Sequence, residues 1–373
     1  MPIDIVTVLM LIGGGVLLVV GAEGLVRGAS RLAASMGIPP IVIGLTVVAL
    51  GTSSPELAVG ISSSLGGNAD IAMGNVVGSN IFNVLFILGV TAIISPLVVH
   101  ERIIFFEVPL MIFVSLLLLV FSIGGNLNRI EGIILIVGLI AYMLFLIRQS
   151  RMENAAVTAE YAAEFSEADK TPSTIARDVI FVLVGLGLLV TGSELFVGGA
   201  TEIAEALGVS QLVIGLTIVA IGTSLPEVAT SILASLKGER DIAVGNVVGS
   251  SIFNILAVLG ISSVVSGSGI AAADVAVRFD IPIMTGVAVI TAPIIFSRRE
   301  VSRWEGVLFV GYYFAYTAYL ILDASGNSHA GNFRVAMLGV VVPVTCLVVL
   351  LVAGKEFLHL RKNGGIRGPQ SAA

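Results

Sequence analysis

The 373-residue sequence is poor in charged residues, cysteine and histidine. Charged residues make up 12% of the chain and hydrophobic residues 56%, a balance that excludes a water-soluble domain of this size. The single cysteine, Cys346, excludes an internal disulfide, and the three histidines do not cluster, which argues against a Cys/His metal site. Because there is no basic patch or basic arm, we expect no nucleic-acid partner.

Long apolar segments follow one another along the whole chain. We count eleven that could cross a bilayer as helices, which predicts an all-α polytopic membrane protein with about eleven transmembrane helices. The first segment has no basic stretch before it and no cleavage motif, so we interpret it as a retained transmembrane helix. The lipid bilayer is therefore an expected partner.

The sequence contains an internal repeat. Residues 70–83, DIAMGNVVGSNIFN, match residues 241–254, DIAVGNVVGSSIFN, at 12 of 14 positions. The stretch GTSSPE at 51–56 returns as GTSLPE at 222–227 with the same offset of 171 residues. Each copy spans five apolar segments, and because five is odd, the second copy is expected to cross the membrane in the opposite sense.

The repeat divides the chain into four predicted parts. They are a first five-helix repeat at 1–148, a polar cytoplasmic linker at 149–173, an inverted five-helix repeat at 174–323, and an extra C-terminal helix with a basic tail at 324–373. With the N-terminus outside, the inner loops and tail hold fourteen Lys and Arg and the outer loops three. The positive-inside rule then places the C-terminus in the cytoplasm and the protein in the cell (inner) membrane.

Both repeats place a proline and a glutamate in the middle of an apolar segment. Pro55 and Pro226 have no N–H to donate, so we expect each helix to break there and to leave backbone carbonyls without helical partners. Broken backbone at membrane depth is tolerated where it is buried in protein or lines a wet cavity. A carboxylate at this depth costs roughly 2.5–3.5 kcal/mol on insertion scales, so Glu56 and Glu227 indicate a functional site.

The segment after each break carries a polar stripe with a spacing of four residues, which places its members on one helix face. The stripe holds Asn75, Ser79 and Asn83 in the first repeat and Asn246, Ser250 and Asn254 in the second. Carboxylates, hydroxyls, amides and bare carbonyls together form an all-oxygen ligand set, which suits hard cations such as Ca²⁺. The same oxygens could instead hold several Na⁺ ions, so the two cargos would compete for one site.

These paired motifs resemble the two alpha-repeats of prokaryotic-type sodium/calcium exchangers, in the cation/calcium exchanger superfamily. The resemblance implies antiport of three Na⁺ for one Ca²⁺, electrogenic and by alternating access, with Ca²⁺ and Na⁺ as transported ions and no prosthetic group. It implies that Glu56, Glu227 and the carbonyls of Thr52 and Thr223 bind Ca²⁺. The further residues implied for the Na⁺ sites are Ser53, Ser79, Ser224 and Ser250 and the carbonyls of Ala49 and Ala220, with Asn83 and Asn254 at the centre.

The resemblance and the residues leave alternatives open. Asn254 stands where potassium-dependent relatives carry Asp, so we expect transport without K⁺, and we expect a monomer. A Ca²⁺/H⁺ or other divalent cation/H⁺ exchanger would titrate the two glutamates in place of binding several Na⁺, and a cation channel is a further alternative.

No histidine lies near the serine motifs and neither motif is a nucleophile elbow, so we expect no enzymatic activity.

Overall fold

The computed structural model describes residues 4–36, 38–67, 69–164, 172–208, 214, 218, 220–345, 347–348 and 354. This part of the chain is almost entirely helical. It contains eight helices that are long and apolar enough to cross a membrane, or nine if one bent pair counts as a single span. The all-α, multi-pass membrane fold predicted from the sequence is therefore confirmed. The two other predicted segments contain shorter apolar helices, Leu225–Leu236 and Ala330–Thr345.

The helices and strands are numbered here in chain order. The helices of the first repeat are α1 (Ile5–Met36), α2 (Pro40–Thr52), α3 (Ser54–Leu65), α4 (Ile71–Ile94), α5 (Ile103–Ser122) and α6 (Arg129–Glu164). Those of the second repeat are α7 (Pro172–Ala206), α8 (Ala220–Gly222), α9 (Leu225–Leu236), α10 (Arg240–Val265), α11 (Ala276–Phe296) and α12 (Arg303–Ala324), followed by α13 (Ala330–Thr345). The two-residue strands are β1 (Leu97–Val98), β2 (Asn126–Leu127), β3 (Ile270–Ala271) and β4 (Glu300–Val301).

Two helices form the centre of the molecule. In α10, 89% of the most apolar stretch is buried inside the protein, and in α4 the figure is 72%, against 28% in α1 and in α7. Each central helix contains π-helical turns, at Asn83–Leu88 in α4 and at Asn254–Leu259 in α10. Such turns are frequent at functional sites, and here both begin at the asparagines predicted to lie at the ion site.

The short strands form two pairs, and each pair joins a loop of the first repeat to a loop of the second. β1 pairs antiparallel with β4, and β2 pairs antiparallel with β3. Paired strands must lie on the same side of the membrane. The predicted topology meets this requirement, because it places the loops of β1 and β4 inside and those of β2 and β3 outside.

α1 and α7 pack closely through glycines spaced by seven residues. These are Gly14, Gly21 and Gly28 in α1 and Gly185, Gly192 and Gly199 in α7. A Cβ added at Gly14 would lie 2.5 Å from the backbone nitrogen of Phe196, and one added at Gly192 would lie 2.8 Å from that of Leu18. Only glycine allows the two backbones to approach this closely.

The predicted linker at 149–173 is helical for much of its length. α6 continues to Glu164, and α7 begins at Pro172. Residues 165–171 and the predicted basic tail beyond residue 354 lie outside the described residues. The four-part division of the chain stays a prediction.

Candidate cation site

The second helix of each repeat is interrupted at the predicted position. α2 and α3 meet at a 42° bend. At the break Ser53 has φ −80° and ψ 5°, and Ser224 in the second repeat has φ −92° and ψ 7°. A proline follows in the first turn of the next helix, and Glu56 and Glu227 lie in those same first turns. The helix dipole there favours negative charge, which helps to hold a carboxylate in the membrane interior.

The breaks release backbone carbonyls, and these carbonyls differ in what they contact. Among the described residues, no hydrogen bond ends on the carbonyl oxygen of Thr223, which lies outside the helices at the second break. The carbonyl opposite each proline is not free, although the proline removes its helical partner: Gly51 accepts from the Ser54 hydroxyl at 2.5 Å. The equivalent Gly222 accepts from Ser193 of α7, also at 2.5 Å. The carbonyl of Thr223 therefore remains as an oxygen that can bind a ligand, and the matching role of the Thr52 carbonyl stays a prediction.

The carboxylate of Glu56 accepts hydrogen bonds from both repeats. Ser224 donates to its Oε1 at 2.9 Å from the opposite repeat, and Ser79 donates to the same oxygen at 3.4 Å from its own repeat. The two serines also contact each other at 3.1 Å. All three side chains are buried.

Glu227 has the mirrored arrangement. Its Oε1 accepts from Ser53 of the opposite repeat at 3.2 Å and from Ser250 of its own repeat at 3.4 Å. Thus each repeat supplies a hydroxyl to the carboxylate of the other. The structure brings the two predicted glutamates and the four predicted serines into two buried hydrogen-bonded clusters, each built from both repeats.

The second oxygen of each carboxylate faces no donor. Oε2 of Glu56 and Oε2 of Glu227 have no hydrogen-bond partner among the described residues, although both side chains are 0% exposed. An ionised carboxylate oxygen without compensation is costly away from water. These two oxygens are therefore suited to binding a cation.

The threonine side chains contact asparagines across the repeats. Thr52 donates to Oδ1 of Asn246 at 3.0 Å, and Thr223 donates to Oδ1 of Asn75 at 3.2 Å. Asn246 also donates to Ser231 at 3.0 Å. These bonds hold the broken segments against the central helices. Asn75, Asn246 and Ser231 thus orient the threonines whose carbonyls are the predicted ligands.

The central asparagines, Asn83 and Asn254, are fully buried but not equivalent. Asn254 donates to Oδ1 of Asn80 at 3.1 Å, and Asn80 donates to the carbonyl of Ser251 at 3.0 Å. Neither polar atom of Asn83 has a partner in the described part of the protein. Sequence reasoning missed Asn80, although it is one of the two mismatches between the repeated 14-residue stretches, with Ser251 in its place.

Of the two predicted alanine carbonyl ligands, the structure places Ala49 beside the site but gives no contact for the Ala220 carbonyl among the described residues. The carbonyl of Ala49 accepts the N–H of Ser53 at 3.0 Å and the hydroxyl of Ser250 at 3.4 Å, so it borders the network. Ala220 opens α8, directly after residues that lie outside the described part. Its predicted role as a ligand stays a prediction.

The ligand set is dominated by neutral oxygens. The described residues contain no group of three or more His, Cys, Asp or Glu side chains that could hold a metal ion. Two carboxylates balance the charge of one divalent cation, and hydroxyl, amide and carbonyl oxygens complete the set that Ca²⁺ prefers.

Comparison with known proteins agrees with this geometry. The sequence profile of the family described as sodium/calcium exchanger protein matches residues 6–148 and 178–322. The chain belongs to the sodium/calcium exchanger family. Within this family, it is 33% identical to the sodium/calcium exchanger MaX1 of Methanosarcina acetivorans over 346 residues, covering 84% of this chain and 98% of that protein. It is 38% identical to the inner membrane protein YrbG of Escherichia coli over 314 residues, covering 83% and 95%.

The fold is also that of a solved family member. The structure of the sodium/calcium exchanger from Methanococcus jannaschii superposes with a TM-score of 0.70 at 30% identity, covering 84% of this chain and 98% of that one. The protein is therefore a multi-pass membrane exchanger of Ca²⁺ and a second cation. The family profile ends at residue 322, so α13 lies beyond the matched region.

Proposed function

We propose that the protein is a sodium-driven calcium antiporter that exports Ca²⁺ from the cytoplasm. It exchanges three Na⁺ for one Ca²⁺ without K⁺, by alternating access, and it is a transporter rather than an enzyme. It lies in the inner membrane with its N-terminus outside, as the distribution of Lys and Arg indicates. No prosthetic group takes part, because the exchanged ions are the substrates.

One observation carries this proposal. Glu56 and Glu227 lie in two mirrored, buried clusters of hydrogen bonds, in which each repeat supplies a serine hydroxyl to the glutamate of the other, and each glutamate keeps one oxygen without a partner among the described residues. A Ca²⁺ ion and a group of Na⁺ ions would both need these carboxylates. Since one set of oxygens cannot satisfy both cargos at once, binding of one excludes the other, which is the requirement for exchange.

The serine hydroxyls around the two glutamates favour Na⁺ over H⁺ as the coupling ion. Ser53, Ser224, Ser79 and Ser250 all donate to a glutamate. Their hydroxyl oxygens can turn toward a bound Na⁺, whereas a proton needs only the carboxylate itself. The number of neutral oxygens around two acids therefore suits several monovalent ions.

Calcium uptake into proteoliposomes tests the proposal. Vesicles loaded with Na⁺ and diluted into Na⁺-free, K⁺-free choline buffer should accumulate Ca²⁺, and protein-free vesicles should not. Each turnover would move one net positive charge outward. An inside-positive potential, set with valinomycin and external K⁺ in a separate assay, should therefore accelerate uptake.

The same assay separates the alternatives. Uptake driven by a pH gradient without Na⁺ would replace the proposal with Ca²⁺/H⁺ exchange. Calcium flux that needs no countertransported ion and does not saturate would indicate a channel. A strict requirement for K⁺ would refute the assignment as a potassium-independent exchanger.

A further inference from the structure

An apolar cleft lies between the second repeat and the additional C-terminal helix. It has a volume of about 350 Å³ and is lined by α11, α12 and α13. That volume lies within the range typical of small-molecule sites, roughly 300–1,000 Å³. Its walls are almost entirely hydrophobic, with Pro282, Leu308, Phe333 and Leu338 among them. One wall, α13, lies outside the region that matches the family profile.

The two ends of the cleft differ in chemistry. Arg278, in the first turns of α11, and Arg334, in the first turns of α13, both line one end. At the other end Tyr312 of α12 donates to the Thr345 hydroxyl at 2.6 Å, which ties α12 to α13. Arg334 and Thr345 are eleven residues apart, so the cleft extends about 16 Å along α13.

Both arginines are exposed, and neither forms an ion pair with a described residue. The neighbouring acid Asp280 is bound by the hydroxyl of Tyr316 at 2.9 Å and does not line the cleft. The cleft thus combines an elongated apolar body with a positively charged mouth.

We propose that this cleft binds an anionic phospholipid. An acyl chain lies between α11, α12 and α13, and the phosphate group is held by Arg278 and Arg334. Guanidinium groups bind phosphate oxygens in a bidentate manner. In a bilayer, an acyl chain is the molecule available to fill an apolar space of this shape. The proposal concerns a site separate from the cation network and does not depend on the coupling ion.

Native mass spectrometry of the intact protein in mild detergent tests the head-group contact. With equal amounts of phosphatidylglycerol and phosphatidylcholine added, we expect preferential retention of phosphatidylglycerol. The Arg278→Gln/Arg334→Gln double variant should lower its bound fraction at least tenfold, and Arg278→Lys/Arg334→Lys should restore part of it. Arg129→Gln, an exposed arginine at the predicted outer surface but away from the cleft, is the matched control and should bind like the wild type.

A second pair of variants tests the acyl-chain contact. Gly286 lines the cleft, and a Cβ added there would meet no atom within 4 Å, so Gly286→Leu should occupy the space without disturbing the helices. Gly311 is exposed on α12, does not line the cleft and has the same free space, so Gly311→Leu is its control. We expect the first variant to lose bound lipid at least tenfold and the second to keep it. Size-exclusion chromatography verifies that both remain monodisperse.

Several outcomes would overturn the proposal. Equal retention of the two phospholipids would remove the role of the arginines. Binding of inorganic phosphate alone with the same affinity would show a simple anion site. Lipid retention unchanged by Gly286→Leu would place the acyl chain elsewhere, and a stable dimer lost in this variant would show that a second copy fills the cleft.

Discussion

At the residue scale, the site depends on which oxygen of each polar group is already engaged. Each glutamate has one oxygen bound by two serine hydroxyls and one without a partner among the described residues. The hydroxyls orient the carboxylates, and the remaining oxygens are left available to an ion. An amide in place of the carboxylate keeps the shape but removes the charge.

Replacing either glutamate by glutamine should therefore abolish exchange. Glu56→Gln or Glu227→Gln leaves one negative charge for a divalent ion, and we expect at least a tenfold loss of Na⁺-driven Ca²⁺ uptake, equivalent to about 1.4 kcal/mol or more. The uptake assay in proteoliposomes measures this, and thermal unfolding in detergent checks that the fold is intact. Asp274→Asn, which changes an exposed acid just before α11, serves as the control. Near-normal uptake in either glutamine variant would remove that residue from the site.

At the scale of elements, the two broken helices are held by different means. In the first repeat the carbonyl opposite the proline is satisfied locally, by the exposed Ser54. In the second repeat Leu225 occupies the equivalent position, and Ser193, which is buried in α7, supplies the hydroxyl instead. The residue of α1 that corresponds to Ser193 is Ala22. The long helix α7 is thus bonded to a break next to the site, whereas α1 has no serine at the matching position.

Removal of the two hydroxyls should have unequal effects. Ser193→Ala leaves a buried carbonyl without a donor and should lower the free energy of unfolding by about 1–3 kcal/mol. Ser54→Ala leaves the Gly51 carbonyl to solvent or to neighbouring groups, because Ser54 is exposed. This variant should change the free energy of unfolding by no more than about 0.5 kcal/mol. Thermal unfolding midpoints of the two variants provide the comparison. Equal losses would show that the bond to α7 has no special importance, and a weaker Ca²⁺ affinity in Ser193→Ala alone would link it to the site.

The pairing of α1 with α7 predicts opposite effects at two adjacent glycines. Gly14→Ala would force its Cβ against the backbone of α7 and should destabilise the protein by about 1–3 kcal/mol. Gly13→Ala meets no atom within 4 Å and should stabilise the helix by about 0.5–1 kcal/mol. Unfolding midpoints measured side by side test the contrast. If both variants behaved alike, the close approach of the two helices would be contradicted.

At the scale of the whole molecule, the two strand ribbons support the predicted topology without giving its absolute direction. β1 with β4 and β2 with β3 bring together loops from different repeats. The number of membrane crossings between the paired loops must therefore be even. The excess of Lys and Arg then decides which ribbon faces the cytoplasm.

Labelling of single cysteines tests this orientation. In a Cys346→Ser background, Asp274→Cys, in the predicted outer loop before α11, should react with a membrane-impermeant maleimide in intact cells. His100→Cys, in the predicted inner loop before α5, should react only after permeabilisation. Both positions are exposed, so each should be labelled in the permeabilised sample. The reverse pattern would invert the proposed orientation.

Much of the fold followed from the sequence for simple physical reasons. A bilayer forces its spanning segments to be long, apolar and helical, so their type and approximate positions could be predicted from the apolar runs in the sequence. The repeat of GTSSPE and GTSLPE located both breaks, because proline cannot donate within a helix. The glutamates were predicted from the cost of placing a carboxylate in an apolar segment, and the serines from their matched positions in the repeats and from the family resemblance.

What only the tertiary structure decided is the pairing between the repeats. The spacing of residues could not show that Ser224 binds Glu56 and Ser53 binds Glu227, because these contacts join residues more than 160 positions apart. It also could not show that Ser193 reaches Gly222, or that Asn80 engages Asn254 while Asn83 keeps its polar atoms free. Local sequence determines which groups enter the membrane, whereas the packing of inverted halves determines which of them meet and which oxygens remain for an ion.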